Sequence, residues 1–195
     1  IKKLKFKCLE ISDFTGSKEI LTGRVKTLHP KIHAGILNKR NNKTHLKEMK
    51  SENFENIDLV IINFYQFEKT LKKTKNHNKI IENIDIGGPS MVRAAAKNYK
   101  DVTVITSIEQ YPELLNELKI YKGCTSLKFR EKMSRLAFTE TAFYDSVISS
   151  YLNKISNVQF PEKKVDHSNL IEKLRYGENP HQESALYSRY SSFDI

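Results

Sequence analysis

The segment Gly23-Arg24-Val25-Lys26-Thr27-Leu28-His29-Pro30 gathers two cations, a hydroxyl and an imidazole between a glycine and a proline. Such side chains make poor core material. In a loop they can hold a phosphorylated small molecule through charge-assisted hydrogen bonds. A second block, Asn83-Ile84-Asp85-Ile86-Gly87-Gly88-Pro89-Ser90, joins a turn to a helix start. Paired glycines let backbone approach a ligand, and the free N–H groups of a first helical turn attract anions. A plain Gly-Gly turn explains the same residues without a ligand. Ser90, Arg93 and Lys97 recur at i, i+3 and i+7 and share one helical face. That face is either a solvated polar stripe or a pair of catalytic cations beside an anion site. Asn63 and Tyr65 follow an apolar run, where a tyrosine hydroxyl can donate to a carbonyl or an oxyanion; a capped strand end with a half-buried ring is the plainer alternative. A third block, Leu174-Arg175-Tyr176-Gly177-Glu178-Asn179-Pro180-His181-Gln182, lies near the end of the chain. His29 and His33 have the i, i+4 spacing of some zinc pairs. No HExxH glutamate or nearby third ligand accompanies them, and Pro30 argues against one helix across both, so no metal site is expected.

These residues need a scaffold, and the hydrophobic pattern supplies one. Residues 57–64 and 101–106 are nearly continuous β-branched runs, the mark of strands buried on both faces of a parallel sheet. Helices are expected over 43–53, 77–83, Pro89 to about Asn98, 108–119 and 126–153. Residues 4–11 alternate apolar and polar and suggest a short strand, while 12–32 read as a loop. Strand and helix in alternation argue for a parallel α/β sandwich. Open sheets of this kind bind ligands beyond the carboxyl ends of their strands, which favours Asn63 and Tyr65. Residues 156–169 lose paired apolar positions and read as a linker between a domain over 1–155 and the start of another over 170–195.

The chain has 195 residues, a net charge of +10 and 38% hydrophobic residues, enough for a sizeable core. Its lysines are dispersed rather than clustered, and no nucleic-acid-binding motif accompanies them; no nucleic-acid partner is expected. No run approaches the ~18 apolar residues of a membrane span. Cys8 and Cys124 form no CxxC pair, which fits a reducing compartment. A cytoplasmic location is expected.

Three stretches together closely resemble the bifunctional family that joins IMP cyclohydrolase to phosphoribosylaminoimidazolecarboxamide formyltransferase. They are Gly23 to Pro30 with His33-Ala34-Gly35-Ile36-Leu37, Ile84 to Gly88 with Arg93-Ala94-Ala95-Ala96-Lys97-Asn98, and Arg175 to Gln182. Asp101 to Ile105 and Ala137 to Asp145 fit as well. The resemblance implies a methylglyoxal-synthase-like domain, a three-layer α/β/α arrangement around a central parallel sheet. It implies dehydration of 5-formamido-1-(5-phosphoribosyl)imidazole-4-carboxamide to IMP without metal or organic cofactor. In the parent, a second domain formylates the ribotide with 10-formyltetrahydrofolate as cosubstrate, and the whole protein forms a homodimer. Residue by residue, the match makes Lys97 the proton donor and acceptor and Asp85 its partner near the carboxamide. Tyr65 would donate to the developing oxyanion, and Lys26 would orient the formyl and carboxamide groups. Arg24, Val25, Lys26, Thr27, Ile62, Asn63, Asp85, Ile86, Gly87 and Gly88 would line the nucleotide site. Arg175, Tyr176 and His181 would belong to the formyltransferase site.

The sequence departs from the family in placing Gln66 after Tyr65, where a proline is usual. The family's opening strand-helix-strand unit and its Ser-Thr-Gly-Gly phosphate loop have no counterpart in the 195 residues, so a chain truncated at both ends, with weak or no activity alone, is expected. On that reading the first residues are helical rather than extended. A related module that binds a nucleotide for regulation, without catalysis, is the alternative. Asp85, Lys97 and Tyr65 favour the enzyme, since a sensor needs no proton-transfer set.

Overall fold

The computed structural model describes residues 4–188. Its regular elements are α1 (Ile11–Thr15), α2 (Pro30–Leu37), α3 (Lys43–Ser51), β1 (Leu59–Ile61), α4 (Phe67–Lys73), α5 (His77–Glu82), α6 (Gly87–Lys97), β2 (Thr103–Ile105), α7 (Tyr111–Ile120), α8 (Leu127–Ile155), β3 (Asn169–Leu174) and β4 (Ser184–Ser188). The chain divides into two compact units, with the boundary inside α8 between Ala142 and Phe143.

In the first unit β1 and β2 pair in parallel, Val60 opposite Val104. The connection between them carries three helices, as a parallel crossover requires. All three residues of β2 are buried, Val104 and Ile105 as apolar side chains and Thr103 with its hydroxyl 2.7 Å from that of Thr125. In β1 only Val60 is buried; Leu59 and Ile61 on its other face are 38% and 45% exposed. The helices pack their apolar stripes here: Ile32 and Ile36 of α2, Val92 and Ala95 of α6, and Phe129 and Met133 of α8 belong to one core cluster. Burying a side chain such as Val92 completely is worth about 1.5–3 kcal/mol. Three successive alanines, Ala94 to Ala96, are also buried, and their small volume lets α6 approach its neighbours closely.

Two connections fix the direction of the helices. Asn98 caps the end of α6 and leads through a short turn into β2, so α6 runs antiparallel to the strands. The amide of buried Asn98 donates to the carbonyls of Ile36 (2.8 Å) and Asn38 (2.9 Å), binding the carboxyl ends of α6 and α2 together. Arg40 reinforces that end: its guanidinium donates to the carbonyls of Asn38 and Ile57 and to the Asp58 carboxylate, each at 3.1 Å. The amino ends of α2 and α6 therefore lie beyond the carboxyl ends of the strands.

Several expectations need correction. Residues 4–11 form no strand; Leu4 has 3₁₀ geometry, and from Phe6 the chain is irregular until α1 begins at Ile11. Two short strands supply too little pairing to draw that alternating segment into the sheet. The 12–32 stretch is not all loop. Pro30 opens α2 instead of interrupting it, because a proline at the first helical position gives up only an N–H that has no helical partner. His29 is the N-cap, its Nδ1 accepting from the Lys31 N–H at 3.1 Å.

The second unit contains an antiparallel pair, β3 with β4, whose register shifts between Leu170 and Glu172. Phe143 and His167 meet edge to face with ring centroids 5.2 Å apart.

Candidate functional site

At the amino end of α6 the second block is built around Asp85. Its Oδ1 accepts the Gly88 N–H at 2.8 Å, satisfying one of the orphan donors of the first turn. A Cβ at Gly88 would collide with the Asp85 carboxylate, Cγ lying only 2.9 Å away. A Cβ at Gly87 would overlap the Thr27 hydroxyl. The two glycines thus admit, respectively, the carboxylate and the threonine of the first block. Both blocks meet here although about sixty residues separate them, because α2 and α6 share a direction and each begins at this end. Ile86 is 59% exposed and Asp85 half-buried, so the turn is open to solvent. Ile62, Asn63 and Tyr65 leave the carboxyl end of β1, Tyr65 with 60% exposure.

The cations of the first block are held by carboxylates. Arg24 donates from Nη2 to Glu82 Oε1 at 2.6 Å and from Nε to Oε2 at 3.3 Å. Lys26 Nζ lies 3.1 Å from Glu19 Oε2. Val25 is half-buried and exchanges backbone hydrogen bonds with Ile20. Neither Glu19 nor Glu82 stood out in the sequence. Position 82 lies 58 residues from Arg24, and a lone exposed glutamate carries no local signal of its partner.

Lys97 is elsewhere. It is the last residue of α6, and at 1.5 Å per residue the eleven-residue helix carries it about 15 Å along the axis from the Asp85 end. The expected convergence of Lys97 and Asp85 does not occur within one chain. The spacing itself held the warning: twelve positions along a helix share neither turn nor end. Ser90, Arg93 and Lys97 do line one groove of ≈ 660 Å³, together with His33, Tyr99 and Phe138. The Arg93 guanidinium sits 5.5 Å from the centroid of the Phe138 ring. Burial lowers the His33 pKa below the ordinary imidazole value, and His33 Nε2 is buried without a hydrogen-bond partner. Elsewhere in this unit the Glu140 pKa is raised, first by burial and then by the carboxylates of Glu68 and Glu109.

In the second unit Arg175, Tyr176 and His181 occupy the exposed connection between β3 and β4. Gly177 N–H donates to Gln182 O at 2.8 Å, and Asn179 N–H to the Gln182 side chain at 3.0 Å, closing that loop on itself. Among the described residues no group of three or more His, Cys, Asp or Glu is arranged to hold a metal ion, and no helix is long and apolar enough to cross a membrane.

A parallel sheet packed with helices, with glycine-bearing turns beyond its strands, is an α/β domain architecture. The family model of the MGS-like domain matches residues 1–90. The model of the AICARFT/IMPCHase bienzyme matches residues 95–194, more than half of the chain, and the chain belongs to that family. The Bifunctional purine biosynthesis protein PurH of Persephonella marina is 53% identical over 180 residues, covering 91% of this chain and 35% of its own length. Its counterpart from Bradyrhizobium diazoefficiens is 46% identical, covering 93% and 34%. The chain thus spans about a third of the length of these relatives. The crystal structure of ForH superposes with a TM-score of 0.67 at 28% identity, over 77% of this chain and 79% of that one.

Proposed function

We propose that the chain carries residues of an IMP cyclohydrolase site, in a bifunctional parent that also transfers a formyl group from 10-formyltetrahydrofolate. The carboxamide nitrogen of the formylated ribotide attacks the formyl carbon and surrenders a proton. The resulting alkoxide is protonated to a hydroxyl, which takes a second proton and leaves as water while the formamido nitrogen gives up its hydrogen and the ring C=N bond forms. An amide nitrogen is a poor nucleophile, so a positioned base must take its proton in the transition state. Hydrogen-bond donors must meet the growing negative charge. Asp85 and Lys26 are assigned to the reacting groups and Tyr65 to the oxyanion. Thr27, Val25, Arg24, Ile62, Asn63, Ile86, Gly87 and Gly88 are assigned to the nucleotide. The observation that carries this reading is the meeting of Thr27 with Gly87 beside the Asp85–Gly88 turn.

Lys97 remains the assigned proton donor and acceptor, serving a site completed by a second copy of the chain; its separation from Asp85 along α6 supports this arrangement over one within a single copy. A homodimer whose interface sets Lys97 of one copy beside Asp85 of the other forms that contact twice, because two-fold symmetry makes it reciprocal. No metal or organic cofactor enters ring closure; the folate serves only as cosubstrate of the parent's transferase, to which Arg175, Tyr176 and His181 are assigned. A cytoplasmic location is part of the same proposal.

Ring closure in the full-length protein, followed by the appearance of IMP, tests it. Asp85→Asn and Lys97→Ala should each abolish turnover while Lys97→Ala still binds IMP. Mixing the two inactive proteins and allowing subunits to exchange should restore about a quarter of the wild-type rate, the statistical share of intact sites. Full turnover by Lys97→Ala would refute its role. Binding of IMP with no turnover in the wild type would favour the regulatory module.

A further inference from the structure

The segment that presents Arg24 and Lys26 is held in an unfavourable backbone conformation. Leu21, Thr22 and Gly23 have φ of 53°, 56° and 88°, three successive residues in the left-handed region. Glycine tolerates this; a leucine and a β-branched threonine do not adopt it without support from their surroundings. The support visible here is short. Ile20 and Val25 exchange two backbone hydrogen bonds of 3.1 and 3.3 Å. Just outside that bridge Glu19 pairs with Lys26. Glu82, the last residue of α5, takes Arg24 in a two-point contact. The first pair closes the hairpin on itself. The second ties it to the turn that carries Asp85.

We propose that Glu19 and Glu82 are positioning residues, a two-carboxylate clasp that fixes Lys26 and Arg24 where an anionic, phosphorylated ligand meets them. The proposal rests on the reading of 24–27 as a nucleotide-binding segment. Magnitude decides what kind of role the pairs have. The partners are about half exposed or more, 64% and 60% for Arg24 and Glu82, 47% and 55% for Lys26 and Glu19. Exposed pairs of this kind add little to global stability. They can still restrict long, flexible side chains before binding, which removes part of the ordering cost that a ligand otherwise bears. The fork of Arg24 suits this, since its two bonds to Glu82 leave Nη1 outside the pair.

Amide hydrogen exchange on the unliganded full-length protein gives a readout that needs no ligand. In Glu82→Gln and Glu19→Gln, amides of residues 20–27 should exchange faster while the core of α6 and β2 and the melting temperature stay as in the wild type. IMP titrated as the probe should bind about fivefold more weakly to each variant. The charge-swapped pair Arg24→Glu with Glu82→Arg should recover slow exchange without recovering IMP binding. Unchanged exchange at 20–27 in both single variants overturns the clasp. Tighter IMP binding also overturns it, because the carboxylates would then be competitors that occupy the ligand's place. If the wild type binds no IMP, the nucleotide-site reading fails, while exchange at 20–27 still decides the clasp.

Discussion

The two ends of α6 are built to opposite requirements. Its amino end is crowded: Gly87 faces Thr27, Gly88 faces the Asp85 carboxylate, and neither position has room for a methyl group. Its carboxyl end is anchored through Asn98 rather than Lys97. Buried Asn98 reaches two carbonyls of another element, while the neighbouring lysine is exposed on the rim of a broad groove. One end fixes a carboxylate and the first helical turn in a single geometry. The other fixes backbone and leaves its cation free to reach. The two ends of one helix thus have separate surroundings, and residues twelve positions apart in a block need not meet.

The contrast can be broken first at the crowded end. Gly88→Ala should displace the Asp85 carboxylate; on the role proposed for Asp85, ring-closing activity of the full-length protein then falls about 100-fold, the cost of misplacing a reacting group by about 1 Å. Single-turnover kinetics would register it, and a normal rate would show that the turn can yield. At the other end, Asn98→Ala leaves two buried carbonyls short of a donor and should cost about 1–3 kcal/mol in denaturant unfolding. The Asn38 carbonyl retains the Arg40 donor, which places the loss toward the lower part of that range. Lys97→Ala, one position away, should leave unfolding unchanged, so the pair of variants separates anchoring from chemistry.

The smallest effect is in pH. His33 lies in the groove with Lys97, and burial lowers its pKa from the usual 6.5. The unfolded chain then takes up the proton first, so this residue's contribution is complete above pH 6.5 and declines as pH falls below it. The unfolding midpoint should drop modestly between pH 7 and pH 5, and His33→Gln should flatten that part of the profile. An unaltered slope in the variant would assign the dependence to other groups.

Much of the fold was legible because its signals are local. The runs at 57–64 and 101–106 contain β1 and β2, and the helices over 43–53, 77–83 and 126–153 agree with the structure to within a few residues. Apolar period and turn residues encode such elements directly. The alternation at 4–11 misled because period 2 marks a strand only where a neighbour offers hydrogen bonds. Helix α4 (Phe67–Lys73) escaped notice, its seven residues giving less than two full turns of pattern. In the candidate site, the residues of the two glycine-bearing blocks were identifiable by type, and the resemblance assigned both blocks to one nucleotide site; the particular contact of Thr27 with Gly87 came from the fold.

Alone, the sequence determined the family, the order of the main elements and the inventory of chemically capable side chains, since these depend on residue identity and short-range period. The tertiary structure decided which of them meet. Asp85 and Lys97 part company because a helix advances about 1.5 Å per residue. Arg24 finds Glu82 because the path of the chain brings positions 58 apart together. Exposed ion pairs of that kind leave no periodic trace in a sequence; only the packing of the helices around the strands selects them.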